Sequence, residues 1–179
     1  SLEPLRKCLS AREQQYNKEA FSFRAGEPAR LIGIVLKGGV NVVQEDFWGN
    51  RTILAHIGQA GLFGEAFSCA ETERIPVSAI ATEASDILLV DYRKIITTCP
   101  STCVFHTQLI SNMLRILAGK NIMLTQKLAF VSKRTTREKL LAFLSAQAIN
   151  SKQHEIVIPF NRQEFADYLC VDSSALSRV

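Results

Sequence analysis

Residues 31–45 read LIGIVLKGGVNVVQE, two β-branched apolar runs separated by a pair of glycines. Leu31–Lys37 and Val40–Glu45 have the length and composition of short strands. Gly38-Gly39 between them is a turn signal, because glycine adopts the positive φ angles that tight turns require. This stretch therefore predicts a β-hairpin.

The pattern of short apolar runs and turns continues beyond the hairpin. Asp46–Asn50 is a turn followed by the strand-like run Arg51–Ile57, and further candidate strands are Val77–Thr82 and Ile87–Asp91, joined by a Ser85-Asp86 turn. Eight of the nine glycines lie in the first 64 residues, and residues 58–64 are a glycine loop. Short strands at close spacing predict an antiparallel β-barrel or jelly roll. A short helix over residues 2–19 is expected to pack on it.

The pattern becomes helical after Pro100. Apolar residues recur every seven positions in two neighbouring tracks between Ser101 and about Phe130. One track can pack on the chain's own barrel, and the second then needs a partner, most simply the same helix of another subunit. Asn121, beside the seam, is expected to set the register or to meet a ligand. The predicted dimer interface comprises Leu109, Ile110, Met113, Ile116, Leu117, Met123 and Leu124. The alternative is a single wide core-facing stripe in a monomer.

Two short helices are predicted near the end of the chain. Asn161 and Glu164 have the spacing of a capping box, which starts a helix that runs to about Leu169. Asp172 is a predicted cap for a second helix that begins at Ser173. A further helix over 134–149 and a short strand over Glu155–Pro159 precede this pair.

The spacing of small and apolar residues in the pair is typical of a helix-turn-helix. Ala166 is the small residue where the helices touch, Leu169 and Val171 flank the turn, and Leu176 is the apolar residue of the second helix. The alternative is an ordinary helical hairpin, and Cys170 stands where such turns usually have glycine. The second helix would enter the major groove. The predicted DNA-binding residues are Arg162, Ser173, Ser174, Ser177 and Arg178.

Composition limits the class of protein. The chain has 179 residues, of which 47% are hydrophobic, and a formal net charge of +4, which permits a polyanionic partner. Four basic residues cluster at 133–139, where the alternative to a binding role is a solvated helix start. No apolar run is long enough to span a membrane and no signal peptide is visible, so a cytoplasmic protein is expected.

Catalytic and metal-binding patterns are weak. The three histidines are scattered over three segments, and no nucleophile arrangement stands out, so neither an enzyme nor a metal or other cofactor is predicted. The five cysteines have no disulfide-like spacing and are expected to be reduced thiols. The alternative is that Cys99 and Cys103 form a metal-binding or redox-active pair.

The order of parts resembles the Crp/Fnr family of bacterial regulators. The residues that carry the resemblance are Gly61-Leu-Phe-Gly-Glu65, the heptad helix, Lys127-Leu-Ala-Phe130, and Arg162-Gln-Glu164 before the helix-turn-helix. The resemblance covers essentially the whole chain. It implies an α+β protein with a cyclic-nucleotide-binding-like barrel or jelly roll (1–100), a long dimerisation helix (101–131) and a winged helix-turn-helix (132–179). Family members continue beyond the position of Val179, so the last domain is expected to be truncated and to bind DNA poorly.

The family's effector pocket maps onto six residues. In cyclic-nucleotide-binding members a Gly-Glu pair opens the cassette, an Arg followed by Ser or Thr grips the phosphate, and a hydroxyl pair meets the adenine. The corresponding residues are Gly64, Glu65, Arg74, Ile75, Asn121 and Ile122. Ile75 and the Asn121-Ile122 pair lack the hydroxyl groups, so the resemblance implies a small effector other than cyclic AMP.

The resemblance also implies a set of partners. It implies a homodimer that binds a palindromic operator in double-stranded DNA under effector control, with RNA polymerase as a further candidate partner. Ser174 stands where many members have Glu, so an operator different from the common family half-site is expected. The alternative function is a cyclic-nucleotide- or metabolite-binding module that acts on a protein partner.

Overall fold

Two antiparallel four-stranded sheets form most of the first part of the chain. In the computed structural model, which describes residues 9–96, 104–150 and 156–179, the strands are β1 Arg12–Tyr16, β2 Phe21–Phe23, β3 Leu31–Lys37, β4 Val40–Glu45, β5 Arg51–Ile57, β6 Leu62–Phe63, β7 Ser78–Ala81 and β8 Ser85–Asp91. Their orders are β1-β8-β3-β6 and β2-β7-β4-β5. The predicted jelly-roll class is confirmed, and β3, β4 and β5 have the predicted bounds.

The described residues form six helices: α1 Glu65–Cys69, α2 Tyr92–Ile96, α3 Val104–Val131, α4 Thr136–Asn150, α5 Arg162–Leu169 and α6 Ser173–Ser177. The chain divides into two compact units, Ser1–Ile116 and Leu117–Val179, with the division inside α3. No described helix is long and apolar enough to cross a bilayer.

An apolar core fills the first unit. Val35, Val40 and Ile87 are fully buried within it, and the rings of Phe23 and Phe63 lie 5.1 Å apart at their centroids. Both sheets contribute to this core, as expected where apolar side chains alternate toward one face of each strand.

Three predicted elements are wrong. The helix expected over 2–19 is not formed at Arg12–Tyr16, which is strand β1, paired with β8 so that Tyr16 faces Ser85. Ser85-Asp86 is the start of β8 and not a turn. Glu155 lies outside the described residues, and 156–159 has no strand structure. Whether a segment becomes a strand depends on backbone pairing with a distant segment. Strand β1 and Ser85 have such a pairing partner, whereas 156–159 has none within the described structure.

Candidate functional site

Gly64 and Glu65 lie where β6 passes into α1. Gly64 is the N-cap of α1 and has φ +81°. A Cβ atom there would lie 2.6 Å from the ring of Phe23 and 3.0 Å from the carbonyl oxygen of Leu31. Only glycine fits this close approach and this backbone conformation. Glu65 follows as the first helical residue, with 3% of its surface exposed.

Ile75 and Arg74 are adjacent residues with opposite environments. Ile75 is 3% exposed and packs in the core with Phe23 and Phe63. Arg74 is exposed, and its Nη1 donates to the carbonyl oxygen of Gly26 at 2.7 Å. Two backbone hydrogen bonds of Ile75, from its N–H to Glu27 and from the N–H of Gly26 to its carbonyl, fix this orientation. The structure therefore places an apolar side chain inward and the guanidinium outward.

Arg74 lines a surface cleft of about 400 Å³. Its other lining residues are Pro28, Ala29, Arg30, Glu71, Thr72, Glu73, Tyr92 and Arg93. The Tyr92 hydroxyl donates to Glu71 Oε1 at 3.0 Å, and burial followed by this hydrogen bond raises the pKa of Tyr92. Of the six residues that the resemblance assigns to the effector pocket, Arg74 is the one that lines this cleft.

Asn121 and Ile122 lie on the part of α3 that belongs to the second unit. Both are exposed, Ile122 at 61%. The other four predicted pocket residues lie in the first unit. The residues predicted for the effector pocket thus belong to two different units.

Long helix α3 has one apolar face that packs within the first unit. Leu109, Met113 and Ile116 lie against a cluster that includes Leu9, Ile32, Leu62, Val90, Tyr92 and Ile95. These three residues are predicted at the dimer interface, and in the structure they pack within their own chain. This packing uses one of the two predicted tracks.

The second apolar face of α3 is exposed. Ile110 and Leu124, both predicted at the interface, are 38% and 52% exposed, while Leu117 and Met123 are half-buried. Leu114 and Leu128, which the sequence interpretation missed, are 62% and 64% exposed. All of these residues except Met123 form, together with Asn121, what we call the α3 stripe: Ile110, Leu114, Leu117, Asn121, Leu124 and Leu128. Their alternating spacing of four and three residues is the coiled-coil signal that would have identified Leu114 and Leu128.

The predicted capping box starts α5. The Asn161 side chain accepts from the N–H of Glu164 at 2.9 Å, and the Glu164 carboxylate accepts from the N–H of Asn161 at 2.8 Å. Ala166 and Leu169 on this helix are fully buried. A small buried residue at this position allows a second helix to approach closely, as a helix-turn-helix requires.

Cys170 forms the turn in a left-handed conformation, with φ 53° and ψ 54°. Its carbonyl oxygen accepts a hydrogen bond from Lys139 Nζ at 3.0 Å, which links the turn to α4. Asp172 then caps α6 by accepting from the N–H groups of Ser174 and Ala175 at 2.7 and 3.2 Å. Hydrogen bonds from Ser174 and Ala175 lower the pKa of Asp172, so the cap remains ionised at neutral pH.

The predicted DNA-binding residues are exposed, except for the half-buried Ser173. The Ser174 hydroxyl donates to Asp172, and the Ser177 hydroxyl donates to the carbonyl of Ser173 at 2.9 Å. These two hydroxyls therefore present acceptor oxygens to a ligand. Arg178 follows the last turn of α6, and Arg162 is the first residue of α5.

A cluster of five aromatic side chains holds the helices of the second unit together. It comprises Phe130, Phe143, Phe160, Phe165 and Tyr168, with ring centroids 4.7 to 6.4 Å apart. Lys127 Nζ lies 3.9 Å from the centroid of the Tyr168 ring, a cation–π geometry. Burial lowers the pKa of Lys127 to about 8. The sequence interpretation quoted Lys127 only as part of a motif and assigned it no role.

Comparisons with known proteins agree with this architecture. Residues 13–101 match the family model described as cyclic nucleotide-binding domain. No curated protein sequence matches the chain. A solved structure of the c-di-GMP-responsive global regulator CLP of Xanthomonas campestris is 17% identical, covers 98% of this chain and 87% of its own, and has a TM-score of 0.77.

Two further solved structures have the same arrangement. FixK2 from Bradyrhizobium japonicum is 20% identical over 94% of this chain and 81% of its own, with a TM-score of 0.71. A transcriptional regulator of the CRP family from Thermus thermophilus is 17% identical over 92% and 80%, with a TM-score of 0.68. At these identities the likeness shows the fold, which is that of the Crp/Fnr regulators over nearly the whole chain.

Proposed function

We propose that this chain, which carries a cyclic nucleotide-binding domain and has the Crp/Fnr fold, is a DNA-binding transcription regulator. In this proposal it acts as a homodimer on a palindromic operator, in the cytoplasm and without catalytic activity. A small effector other than cyclic AMP controls it, and RNA polymerase is a candidate partner.

The geometry of α5, the Cys170 turn and α6 carries the proposal. Both helices begin with a side-chain cap, and the fully buried Ala166 and Leu169 lie in the first helix. The left-handed turn at Cys170 accepts a hydrogen bond from Lys139 of α4 through its carbonyl oxygen. An ordinary solvated helical hairpin would not need such a bond to hold its turn. A rigid pair of short helices with a polar outer face is the unit that places a recognition helix in the major groove.

Each predicted contact residue has a distinct role in the proposal. Arg178 offers a guanidinium that binds guanine O6 and N7 in a bidentate manner, which is the most selective interaction of this set. Ser174 and Ser177 present acceptor oxygens, which meet amino groups of bases with little selectivity. Arg162 contacts backbone phosphate and thereby fixes orientation without reading sequence.

A second copy of the chain is the proposed occupant of the α3 stripe. Four of its five apolar members are exposed and the fifth, Leu117, is half-buried, on a helix whose neighbouring face already packs within its own chain. An isologous interface places each stripe against its own copy, so the asparagines at position 121 would meet across the two-fold axis. A polar residue at one such position sets register at some cost in stability.

The placement of Ile75 supports an effector without a cyclic phosphate. A buried cyclic phosphate needs a cation or several donors, because an unpaired buried charge is expensive. At this point of the barrel the inward side chain is apolar, and Arg74 lies on the surface. A metabolite without that anion is the effector class that the proposal favours.

Duplex binding at several salt concentrations tests the DNA-binding role. We expect the full-length protein to bind labelled random-sequence duplex with an affinity that falls steeply as salt rises, because binding to phosphates releases counterions. Selection from a random library is expected to enrich a palindromic site that differs from the common family half-site.

Two arginine variants form matched arms of this test. Arg178→Gln should reduce the preference for the selected site over a scrambled one by about 1–3 kcal/mol, while Arg162→Gln should weaken binding to both duplexes equally. No duplex binding by the full-length protein even at low salt would contradict the proposal and would favour the alternative, a metabolite-binding module that acts on a protein partner.

A further inference from the structure

A strongly basic surface lies at the connection between α3 and α4. Lys133 and Arg134 follow the end of α3, and Arg137 lies in the first turn of α4. All three side chains are exposed. We call these three residues the basic connection. The proposed recognition helix includes none of them.

The surrounding segment is strongly unbalanced in charge. Residues 132–149 contain four basic residues and one acidic residue, Glu138. The Glu138 carboxylate accepts from the N–H and hydroxyl of Thr135 at 3.1 and 3.0 Å, and the Thr135 hydroxyl accepts from the N–H of Glu138. Glu138 is therefore engaged as the cap of α4. Within the described residues, the three cations of the basic connection form no ion pair.

The same helix turn is tied to the recognition helix. Lys139, two residues after Arg137, donates to the carbonyl of Cys170 at 3.0 Å. Cys170 stands two residues before Asp172, the cap of α6, and α4 packs against α6. The first turn of α4, which contains Arg137 and follows the rest of the basic connection, therefore lies beside the turn that leads into α6.

Duplex DNA has the charge that this region complements. A duplex carries about one negative charge per 1.7 Å of its axis, so phosphates flank any helix that enters a groove. An exposed lysine or arginine beside such a helix meets the backbone and adds affinity without sequence information. An acidic protein patch offers no comparable repeat of charges.

We propose that Lys133, Arg134 and Arg137 form a second DNA-binding surface, which binds backbone phosphates beside the groove that holds α6. The inference rests on the proposed DNA-binding function and extends the footprint beyond the helix-turn-helix. Its contribution is independent of base sequence, since these side chains face the backbone alone.

Salt-dependent binding to two unrelated duplexes tests the inference. In the variant Lys133→Gln/Arg134→Gln/Arg137→Gln, the slope of log affinity against log salt is expected to be shallower by about 1 for each phosphate that the protein no longer binds. The loss of affinity at fixed salt should be the same factor on both duplexes.

Two control variants isolate the role of charge at this place. Arg12→Gln/Lys18→Gln/Lys37→Gln removes three exposed charges from the first unit and should leave the slope unchanged. Lys133→Arg/Arg134→Lys/Arg137→Lys keeps the charges and should preserve the original slope, which distinguishes phosphate binding from a structural role.

Each outcome bears on one of the two proposals. An unchanged slope in the glutamine variant, with the unaltered chain still binding duplex, would overturn the second DNA-binding surface and leave the helix-turn-helix role intact. A slope reduced equally by the first-unit control would also overturn it, because total charge alone would explain the effect. Failure of the unaltered full-length protein to bind any duplex would refute the DNA-binding function and this inference with it.

Discussion

The orientations of the Arg74 and Ile75 side chains decide which chemical groups line the inside of the barrel, where a ligand would bind. The backbone bonds of Ile75 to Gly26 and Glu27 leave its side chain inside the core and that of Arg74 outside. The family resemblance aligned the arginine with a phosphate-gripping position. Because the two residues are adjacent, a difference of one position in which side chain faces the core gives a different pocket.

The left-handed backbone conformation of Cys170 is expected to lower the free energy of unfolding. A side chain at φ 53° is disfavoured by about 1 kcal/mol relative to glycine. We expect Cys170→Gly to raise the free energy of unfolding and Cys170→Val to lower it, as measured by urea unfolding followed by circular dichroism. Cys170→Ala is the control for loss of the thiol and should change stability little. A lower stability for the glycine variant would contradict the strain argument.

Lys127 gives the second unit a pH dependence. Its pKa is held at about 8 by burial, against an ordinary value of 10.5, so between these pH values the unfolded chain binds more protons than the folded chain. The free energy of unfolding should therefore rise with pH over this interval, by up to about 3 kcal/mol.

The variant Lys127→Met isolates this effect. Urea unfolding at pH 7.5 and pH 9.5 should show the rise in the unaltered chain and a much smaller rise in the variant. Because Tyr168 and the other titrating groups are present in both proteins, their contributions cancel in the comparison. Equal pH dependence in the two proteins would show that Lys127 does not cause it.

At the scale of elements, α3 shows how one helix serves two partners. Its heptad tracks predict two apolar faces, and the structure confirms that one of them, with Leu109, Met113 and Ile116, packs within the chain. The other is the exposed α3 stripe. The sequence alone does not show which track packs within the chain and which is exposed, because both have the same period and a similar apolar composition.

A single charge in the α3 stripe should separate the proposed dimer. Leu124→Asp places a carboxylate at a position that is 52% exposed in the single chain and desolvated in the dimer. We expect it to raise the dimer dissociation constant by about 100-fold or more, since loss of about 3 kcal/mol corresponds to that factor. Sedimentation velocity over a range of concentrations measures this change.

The matched control lies on the same helix. Gln126→Asp adds the same charge at an exposed position outside the stripe and should leave association unchanged. Dimers of equal stability in both variants, or monomers in the unaltered chain, would contradict the proposed interface.

At the scale of the whole molecule, the chain joins an apolar-cored β-sandwich unit to a helical unit within one continuous helix. The predicted order of parts along the chain is confirmed by the structure and by the fold likeness to regulators such as CLP and FixK2. The domain boundaries, the site residues and the partners stay predictions.

A thermal melt with excess cyclic AMP tests the proposed effector class. A ligand at about 100 times its dissociation constant adds roughly 2.7 kcal/mol and raises the melting temperature by several degrees. We expect no such shift, because Ile75 places no cation or hydroxyl inside the barrel. A clear upward shift would show that the barrel binds the nucleotide by other residues, and the same assay would then compare other nucleotides and metabolites.

The sequence by itself determined the elements whose causes are local. The strands β3, β4 and β5, the long helix, the Asn161 capping box and the Asp172 cap all follow from periodicity, turn residues and side-chain hydrogen bonds within four positions. Only the tertiary structure decided that Arg12–Tyr16 is a strand, which face of α3 is buried, and that Ile75 rather than Arg74 points inward. Each of these depends on a partner far away in the sequence, and local pattern holds no information about where that partner lies.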